Sequence, residues 1–322
     1  MRIIITGSSG YIGTCCYEYL KNKFEVYGID KIRPFLLKQK KFFLCNLNNY
    51  IKLNFIISNI RPDLIIHLAG QSTIDGIKNK RSYEINNFNA TRKLIKICQK
   101  EKVKYFIFSS TAAVYKSDKN ILKEKSQLGP DNIYGTTKLK CEKFIKKKFK
   151  KSYTNYIIFR FFNVCSSLYK LKVGEYHRPE THFIPIIVQK DLKAEKIQIY
   201  GNNYKTNDGT CIRDYIHIKD LLIAFVKAIS FLKKNNKSEV INLGTGKGYS
   251  NLEILKSLKN KNNFIFVKKR KGDKEKLVCS NEKAKKLLNW LPKYSNLKKI
   301  INDEIKWLKF LKKKKINRNT IY

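Results

Sequence analysis

The chain has 322 residues, and its 68 Lys and Arg against 25 Asp and Glu give a formal net charge of +43. This length is enough to bury a substantial core, in one large unit with two lobes or in two domains. No apolar run is long enough to span a membrane, and a strand-like run begins at residue 2. We therefore expect no cleaved leader, no membrane partner and a cytoplasmic location.

The positive charge is spread along the whole chain. Lysine-rich runs occur at 146–151, 268–276 and 312–315, in separate helices and loops. Nucleic-acid-binding proteins collect such charge in one stripe, often beside base-stacking aromatic residues. We therefore interpret the charge as a compositional bias, typical of an AT-rich genome, and predict no specific nucleic-acid partner. Weak, salt-sensitive attraction to polyanions is expected in either case.

Eight cysteines are present, and no two of them form a C-x-x-C pair. Most fall within apolar segments. In a chain expected to stay in the cytoplasm, this pattern predicts reduced, buried thiols instead of a disulfide framework. No metal site is predicted. The cysteines are residues 15, 16, 45, 98, 141, 165, 211 and 279.

The first apolar run opens directly into three glycines. Arg2–Thr6 is followed by Gly7, Gly10 and Gly13 in the spacing G-x-x-G-x-x-G. The first glycine permits a tight turn, the second lets backbone approach a pyrophosphate, and the third lets the following helix pack closely on the strand. The segment therefore predicts a phosphate-binding turn. Its spacing resembles that of the short-chain dehydrogenase/reductase superfamily.

A second apolar run, Phe24–Ile29, ends in Asp30. A carboxylate at this place accepts hydrogen bonds from the ribose hydroxyls of adenosine. Its charge would repel the 2′-phosphate of NADP, although Lys31 and Arg33 could partly offset that repulsion. The chain therefore begins as a dinucleotide-binding βαβ unit, and we predict NAD as its cofactor.

Alternating strands and helices continue to about residue 163. The pattern predicts an α/β fold with a doubly wound parallel sheet (Rossmann) and a smaller α/β substrate-binding lobe. We assign residues 1–165 and about 212–245 to the NAD-binding domain, and about 166–211 and 246–322 to the substrate-binding lobe. Strand-like runs lie at 2–6, 24–29, 41–44, 64–68, 105–109, 157–161 and 240–243, and helical runs at 83–100 and 134–149.

The candidate catalytic residues are Thr111, Tyr134 and Lys138. Tyr134 and Lys138 are four residues apart at the start of a predicted helix, so their side chains share one face. An ammonium beside the phenol, with the positive nicotinamide of an oxidised cofactor nearby, favours phenolate and makes Tyr134 a general base. Thr111 lies at the end of a predicted strand, where its hydroxyl can bond the same substrate hydroxyl. The alternative is that hydroxyls at this strand end act only as caps.

From Met1 to about Lys309 the chain resembles the UDP-glucose 4-epimerases of the extended short-chain dehydrogenase/reductase group. The glycine loop and the Tyr/Lys pair belong to the whole superfamily, whereas GEYHRPETHFIP and DGTCIRDYIH are more discriminating. The matching blocks are TGSSGYIG (6–13), IIHLAG (65–70), NNFNAT (86–91), FIFSSTAAVY (106–115), YGTTK (134–138), RFFN (160–163), GEYHRPETHFIP (174–185), IYGNNYKTNDGTCIRDYIH (199–217), INLGTGKGYS (241–250) and KRKGD (269–273).

The resemblance implies two sets of binding residues, and it implies a UDP-sugar and a second copy of the chain as partners. Arg213 and Arg270 suit a diphosphate because the guanidinium group is planar and always charged. The expected NAD contacts are Gly7, Gly10, Tyr11, Ile12, Gly13, Asp30, Asn46, Leu47, Leu68, Ala69, Gly70, Asn86, Tyr134, Lys138 and Phe162. The expected substrate contacts are Thr111, Asn163, His182, Phe183, Tyr200, Arg213, Arg270, Asp273 and Leu277.

The implied reaction interconverts UDP-galactose and UDP-glucose through transient oxidation to a 4-keto sugar. Leu277, by its distance from Asp273, is expected to line the sugar pocket, and its intermediate size favours plain sugars without excluding N-acetylated ones. Epimerases of UDP-N-acetylglucosamine or UDP-glucuronate remain alternatives, as does a non-catalytic NAD-sensing protein. A dehydratase is disfavoured because Ala112 and Ala113 stand where such enzymes carry an Asp-Glu pair.

Four positions depart from the family pattern. Asn46 stands where an Asp is usual, which removes a charge near the adenine but leaves an amide. Phe161 replaces the more usual Tyr, and Lys116 replaces a Gly. Thr111 replaces the commoner Ser and keeps the hydroxyl. We expect these changes to alter loop shape more than catalytic competence.

Overall fold

The computed structural model describes residues 1–72, 80–116, 120–177, 179–270 and 273–314. In the first half, strands alternate with helices, which is the order that builds a parallel sheet. A π-helical turn occupies Glu84–Asn89, and a 3-10 turn occupies Ala112–Val114. The strands are β1 (Arg2–Thr6), β2 (Glu25–Asp30), β3 (Phe42–Leu44), β4 (Leu64–His67), β5 (Tyr105–Thr111) and β6 (Asn155–Phe161), and the helices are α1 (Tyr11–Leu20), α2 (Tyr50–Ile60), α3 (Lys80–Tyr83), α4 (Ala90–Lys100) and α5 (Ile133–Phe149).

The second half has shorter strands and less regular alternation. A 3-10 turn occupies Tyr169–Leu171. The strands are β7 (Asn163–Cys165), β8 (Ser167–Leu168), β9 (Val173–Gly174), β10 (Ile197–Tyr200), β11 (Ile212–His217), β12 (Glu239–Leu243), β13 (Gly248–Ser250), β14 (Phe264–Val267) and β15 (Lys276–Leu277), and the helices are α6 (Phe183–Leu192), α7 (Ile218–Asn235), α8 (Asn251–Leu255), α9 (Glu282–Leu288) and α10 (Leu297–Lys313).

Seven strands form one sheet in the order β12-β6-β5-β4-β1-β2-β3. The pairs from β6 to β3 are all parallel. The chain passes from β1 outward to β2 and β3, and then crosses to β4 on the other side of β1. The sheet is therefore doubly wound, as predicted, and its switch point lies between β1 and β4. Ligands of such sheets bind beyond the carboxyl ends of the strands at this point.

The central strands of this sheet are apolar on both faces. Ile3, Ile4 and Ile5 of β1 are fully buried. Parallel sheets are covered by helices on both sides, so their strands read as uninterrupted apolar runs. Leu53 of α2 and Leu94 of α4 belong to the core cluster on one face. The loops at the switch point therefore extend from the most deeply buried strands of the molecule.

The described residues divide into two compact units. The first unit comprises 1–116, 126–161 and 225–241, and the second comprises 117–125, 162–224 and 242–322 where these are described. The sequence pattern places about 212–245 in the NAD-binding domain. By contacts only 225–241 lie there, because β11 pairs with β7, β13 and β15 in a small sheet of the second unit. The division of binding roles between the units stays a prediction.

The second unit has a core of its own. Ile187 and Val188 of α6 and Ile300 and Ile301 of α10 pack in one buried cluster. The parallel pair β10–β14 and the antiparallel pair β8–β9 complete its strands. Trp307 of α10 is fully buried, and its indole N–H donates to a backbone carbonyl near β9. Most of the expected substrate residues belong to this unit, among them Arg213 of β11 and Leu277 of β15.

The helices and the cysteines of the described residues can be compared with the sequence expectations. None of the described helices is both long enough and apolar enough to cross a bilayer. All eight cysteines fall among the described residues, where they are buried free thiols.

Candidate active site

Close packing at the switch point explains the glycine loop. Gly7 has a φ of +74°, and a Cβ there would lie 2.6 Å from the backbone nitrogen of Ala69. A Cβ on Gly13 would lie 1.9 Å from the carbonyl oxygen of Gly7, because α1 packs directly on this turn. Gly10 precedes α1 without a capping side chain. Tyr11 and Ile12 therefore belong to a helix N-terminus of the kind that binds anions.

Asp30 lies beside this loop at the end of β2. Its carboxylate accepts hydrogen bonds from the backbone N–H of Ser9 at 2.9 Å and of Ile32 at 3.3 Å. Burial raises the pKa of Asp30, while these amide bonds oppose the rise. The carboxylate is therefore anchored at the position where the sequence predicts a ribose contact.

The segment after β3 carries two further expected NAD contacts. Asn46 is exposed, and its side-chain oxygen accepts a hydrogen bond from the N–H of Asn48 at 2.9 Å. Leu47 is buried and belongs to the core cluster of the sheet. An aspartate at 46 could make the same turn. The amide in its place therefore removes charge without changing the local structure.

Gly70 and Gln71, just after β4, contact an asparagine that the sequence reasoning did not assign. Asn87 accepts a hydrogen bond from the N–H of Gln71 at 2.7 Å and donates to Thr137 of α5 at 3.1 Å. A Cβ on Gly70 would lie 3.2 Å from the Asn87 oxygen, so a larger residue there would press on the Asn87 side chain. Asn86, the expected contact, donates to the side chain of Gln71. The sequence feature that could have identified Asn87 is its place in the NNFNAT block, next to Asn86.

The three candidate catalytic residues meet at the carboxyl end of β5. Asn132 caps α5 by accepting from the N–H of Gly135 at 2.7 Å, so α5 begins immediately before Tyr134. The side chains of Thr111 and Tyr134 are hydrogen-bonded to each other. Lys138 donates to the carbonyl oxygen of Ser109 at 2.7 Å, and its Nζ lies 6.0 Å from the centroid of the Tyr134 ring.

Burial controls the ionisation of this pair. Desolvation raises the pKa of Tyr134 to about 12, although the hydrogen bond from Thr111 opposes the rise. Desolvation also lowers the pKa of the Lys138 ammonium to about 8. In the protein alone the phenol is therefore a weaker acid than usual, the opposite of the lowered pKa expected from the sequence. The expected nicotinamide charge is a separate contribution to that pKa.

A buried ion pair links the elements that carry the candidate catalytic residues. Arg160 of β6 makes a two-pronged bond to Glu142 of α5, at 3.0 and 2.7 Å, and both side chains are almost fully buried. Arg160 also donates to the hydroxyl of Tyr115 at 2.9 Å, and Ser110 of β5 donates to Glu142 at 2.5 Å. Glu142 lies one helical turn beyond Lys138. This network connects α5 to β5 and β6, and no sequence motif had assigned it a role.

Phe161 and Lys116, two further departures from the family pattern, also lie in the first unit. Phe161 packs against Phe225, with ring centroids 6.1 Å apart in a nearly perpendicular arrangement. This contact needs no hydroxyl. Lys116 donates its backbone N–H to the carbonyl of Gln127 at 2.9 Å, and its Cβ lies against Gly129. Neither residue contributes a polar atom to the Thr111, Tyr134 and Lys138 group.

In the second unit, the expected substrate residues form two pairs. Arg213 donates to Asp273 at 2.7 Å and to the carbonyl oxygens of Ile212 and Lys274 at 2.9 and 2.7 Å. These bonds leave part of its five donors for a ligand. The guanidinium carbon of Arg270 lies 3.8 Å from the centroid of the Tyr200 ring. One arginine is thus fixed by hydrogen bonds, and the other by stacking.

The other expected substrate residues lie elsewhere in this unit. His182 precedes α6, and Phe183 is the first residue of α6. Asn163 of β7 is hydrogen-bonded to Tyr215 of β11. Leu277 of β15 is opposite Arg213 in the parallel pairing of β11 and β15. The expected cofactor residue Phe162 is buried in the second unit, and its N–H donates to the carbonyl of Leu243 at 3.1 Å.

The fold and the glycine loop are those of a dinucleotide-binding α/β enzyme. Comparison with known proteins leads to the same class. The model of the NAD dependent epimerase/dehydratase family matches residues 3–244. The UDP-glucose 4-epimerase of Lactobacillus helveticus is 34% identical over 321 residues, covering 96% of this chain and 97% of that protein.

Solved structures extend the similarity. The UDP-glucose-4-epimerase from Stenotrophomonas maltophila, with bound NAD and formylated UDP-arabinopyranose, is 25% identical, with a TM-score of 0.90 and coverage of 98% of this chain and 99% of that chain. The UDP-Glc/GlcNAc 4-epimerase from Campylobacter jejuni is 29% identical, with a TM-score of 0.81 and coverage of 96% and 99%.

The chain belongs to the NAD-dependent epimerase/dehydratase family. The resemblance seen in the sequence motifs is therefore confirmed, and so is NAD as the cofactor. Its enzyme class is that of the NAD-dependent nucleotide-sugar 4-epimerases, which are isomerases.

Proposed function

We propose that this enzyme interconverts UDP-galactose and UDP-glucose by transient oxidation at carbon 4 of the sugar. The observation that carries this proposal is the group at the end of β5, where Thr111 is bonded to Tyr134 and Lys138 lies beside them. The group shares the first unit with the glycine loop. The L. helveticus relative, similar over its full length, is named for this activity.

Tyr134 acts on the 4-hydroxyl of the sugar. Its phenolate takes the hydroxyl proton as the hydrogen on the same carbon leaves as hydride, and returns the proton after the ketone has turned over. Bound NAD supplies a reversible hydride acceptor, so the reaction has no net redox change. The hydroxyl of Thr111 bonds the same sugar oxygen and keeps it within reach of Tyr134.

The phenolate has to be stabilised by positive charge. The pKa of about 12 for Tyr134 is too high for a base at neutral pH, whereas the pKa of about 8 for Lys138 leaves its ammonium mostly charged there. A cationic nicotinamide near the phenol would favour phenolate further. Because the site is desolvated, each charge acts more strongly than it would in water. Base activation is therefore coupled to the oxidised cofactor.

The pairs in the second unit suit the nucleotide part of the substrate. Arg213 and Arg270 supply the permanent charges that a diphosphate requires. Asp273, held by Arg213, has a second oxygen, which Tyr204 approaches with its hydroxyl at 3.4 Å. A ribose or sugar hydroxyl could donate to this carboxylate. Leu277 lies opposite Arg213 on the neighbouring strand, which supports its proposed place beside the sugar.

A second candidate function is epimerisation of the N-acetylated pair. The C. jejuni protein, 29% identical, is named a UDP-Glc/GlcNAc 4-epimerase, and leucine at 277 is smaller than an aromatic residue. A larger pocket wall would exclude the acetamido group, whereas leucine leaves some room. We expect the plain sugars to be preferred and the N-acetylated ones to react more slowly.

The remaining parts of the proposal concern the state of the protein. We propose a homodimer, which light scattering during gel filtration will test.

The cytoplasmic location stays a prediction, and so does the compositional origin of the charge. If that origin is correct, binding to duplex DNA will be independent of sequence and largely lost at about physiological salt. Tight binding that survives such salt would contradict it.

Substrate choice is tested by product analysis. The purified protein is incubated separately with UDP-galactose, UDP-N-acetylgalactosamine and UDP-glucuronate, and the products are resolved by proton NMR. We expect rapid formation of UDP-glucose, slower formation of UDP-N-acetylglucosamine and little change in the uronate. Faster turnover of the N-acetylated sugar would make it the principal substrate. No turnover of any sugar, with NAD bound, would favour the non-catalytic alternative.

A further inference from the structure

The second unit contains a cluster of His and Glu side chains that the proposed reaction does not require as a group. Its members are Glu175, His177, Glu180 and His182, and one potential ligand atom of each lies within 4.8 Å of those of the other three. Two imidazoles and two carboxylates therefore converge within eight residues of chain. We call this group the His/Glu cluster.

Glu175 is the fixed member of the cluster. It directly follows β9, and its carbonyl oxygen accepts a hydrogen bond from the indole of Trp307 at 2.8 Å. A Cβ on Gly174 would lie 2.8 Å from the Trp307 ring, so the backbone here packs directly on the core. The Glu175 side chain is 0% exposed. Its carboxylate is therefore held inside the unit and cannot turn to solvent.

The backbone orients a second carboxylate. Glu180 accepts hydrogen bonds from the N–H of Thr181 at 2.8 Å and of His182 at 2.9 Å, both to the same oxygen. These bonds hold the carboxylate against the start of α6. The same oxygen lies 3.4 Å from the Nδ1 of His182. The cluster is thus assembled by main-chain contacts in addition to the attraction between its charges.

The buried carboxylate of Glu175 is contacted by both imidazoles of the cluster. Its Oε1 lies 2.5 Å from Nδ1 of His182 and 3.2 Å from Nδ1 of His177. A fully buried carboxylate is costly unless a cation compensates it. In this cluster the compensating charge is supplied either by a protonated imidazole or by a metal ion that the histidines and the carboxylates share.

We propose that the His/Glu cluster binds one divalent metal ion of the zinc type. Imidazole nitrogen together with carboxylate oxygen suits zinc and its neighbours in the first transition row, whereas magnesium and calcium prefer oxygen alone. Zinc bonds to these donors are about 2.0 to 2.2 Å long and tetrahedral, so two donors on one ion are about 3.3 to 3.6 Å apart. The four ligand atoms of the cluster lie within 4.8 Å of one another, so movements of about 1 Å would bring them into this range.

The proposed ion would have a local structural role. Two carboxylates would neutralise a divalent charge, which would remove the cost of burying Glu175. The ion would also fix the segment between β9 and α6. His182 is additionally an expected substrate contact, so it is left out of the test. The competing arrangement has no metal: burial lowers the pKa of His182, but the carboxylates of Glu175 and Glu180 raise it to about 10 and so favour a protonated ring.

Metal binding is tested on the full-length protein. The chain is dialysed against a chelator, then titrated with zinc chloride in a calorimeter, and its metal content is measured after gel filtration. We expect one zinc per chain. Glu175→Gln and His177→Ala should weaken binding at least about tenfold, the loss typical of a damaged metal site. Glu195→Gln, at an exposed glutamate of the same unit, should bind like the unaltered protein.

Cobalt identifies the ligands without reference to activity. Cobalt(II) bound by nitrogen and oxygen gives visible bands without the strong near-ultraviolet absorption of thiolate ligands, which excludes the eight cysteines. Circular dichroism checks that each variant is folded, and His177→Ala covers the case in which Glu175→Gln is not. Absence of stoichiometric binding, unchanged affinity in a folded His177→Ala protein, or a thiolate spectrum would overturn the proposal.

Discussion

In the first unit, the side chains around Tyr134 are supported by fully buried polar contacts. In the second unit, Arg270 is held by stacking on Tyr200, near the surface. The Arg160–Glu142 pair spans two strands and a helix and is almost inaccessible to solvent. The Arg213–Asp273 pair, in contrast, is 11% and 29% exposed.

This difference suggests a division of tasks. Proton and hydride transfer tolerate little displacement of the reacting groups, so the proposed role of Tyr134 requires a rigid support in the first unit. Binding a nucleotide sugar allows adjustment, because charged forks can meet a diphosphate in more than one way. We therefore expect changes in the first unit to affect stability and rate, and changes in the second to affect affinity and sugar preference.

The largest expected effect is from breaking the support of the first unit. Glu142→Gln leaves the Arg160 charge buried without its carboxylate partner, and removal of one member of such a pair costs about 3 to 5 kcal/mol. We expect a loss of that size in the free energy of unfolding, measured by urea denaturation. Glu84→Gln is the control, because the Glu84–Lys140 pair is exposed and should cost at most about 1 kcal/mol. Equal losses would mean that burial does not distinguish the two pairs.

The next effect is on the rate. Tyr134→Phe removes the proposed base while keeping the ring, so turnover of UDP-galactose should fall about a hundredfold or more, with NAD and UDP still bound. The rate is followed by the formation of UDP-glucose, and ligand binding by calorimetry. Tyr153→Phe, at an exposed tyrosine of the same unit, should be unchanged. Normal turnover in Tyr134→Phe would remove this residue from the mechanism.

A smaller effect is expected at the arginine of the second unit. Arg213→Lys keeps the charge but loses the planar fork that bonds Asp273 and two carbonyl oxygens. We expect KM for UDP-galactose to rise about tenfold, a change typical of one lost charge-assisted bond, with a much smaller change in kcat. Arg61→Lys, at an exposed arginine of the first unit, serves as the control. A fall in kcat alone would place Arg213 in the chemical step.

The smallest effect concerns sugar choice. Leu277→Tyr adds a ring that should collide with an N-acetyl group and leave the plain sugars less affected. The ratio of kcat/KM for the two substrate pairs should therefore change by about tenfold in favour of the plain pair. Leu192→Tyr, at an exposed leucine of the same unit, should leave the ratio unchanged. An equal loss on both pairs would show that Leu277 does not face the sugar.

The sequence alone determined much of the first unit. The run predicted at Arg2–Thr6 has the bounds of β1, because a buried parallel strand is an uninterrupted apolar run. The glycine loop, Asp30 and the Tyr134/Lys138 pair could be predicted as site residues because the functions proposed for them depend on local geometry and fixed spacing. The family resemblance followed from the same short blocks.

Tertiary contacts determined the features that no local pattern encodes. The helix predicted over 83–100 is interrupted by the π-helical turn at Glu84–Asn89, where Asn87 bonds to Gln71 and Thr137. Strands β8, β9 and β15 have two residues each, too few for a periodicity. The pairing of Glu142 with Arg160 and the raised pKa of Tyr134 both arise from burial. Burial depends on residues distant in the chain, so only the folded structure could reveal them.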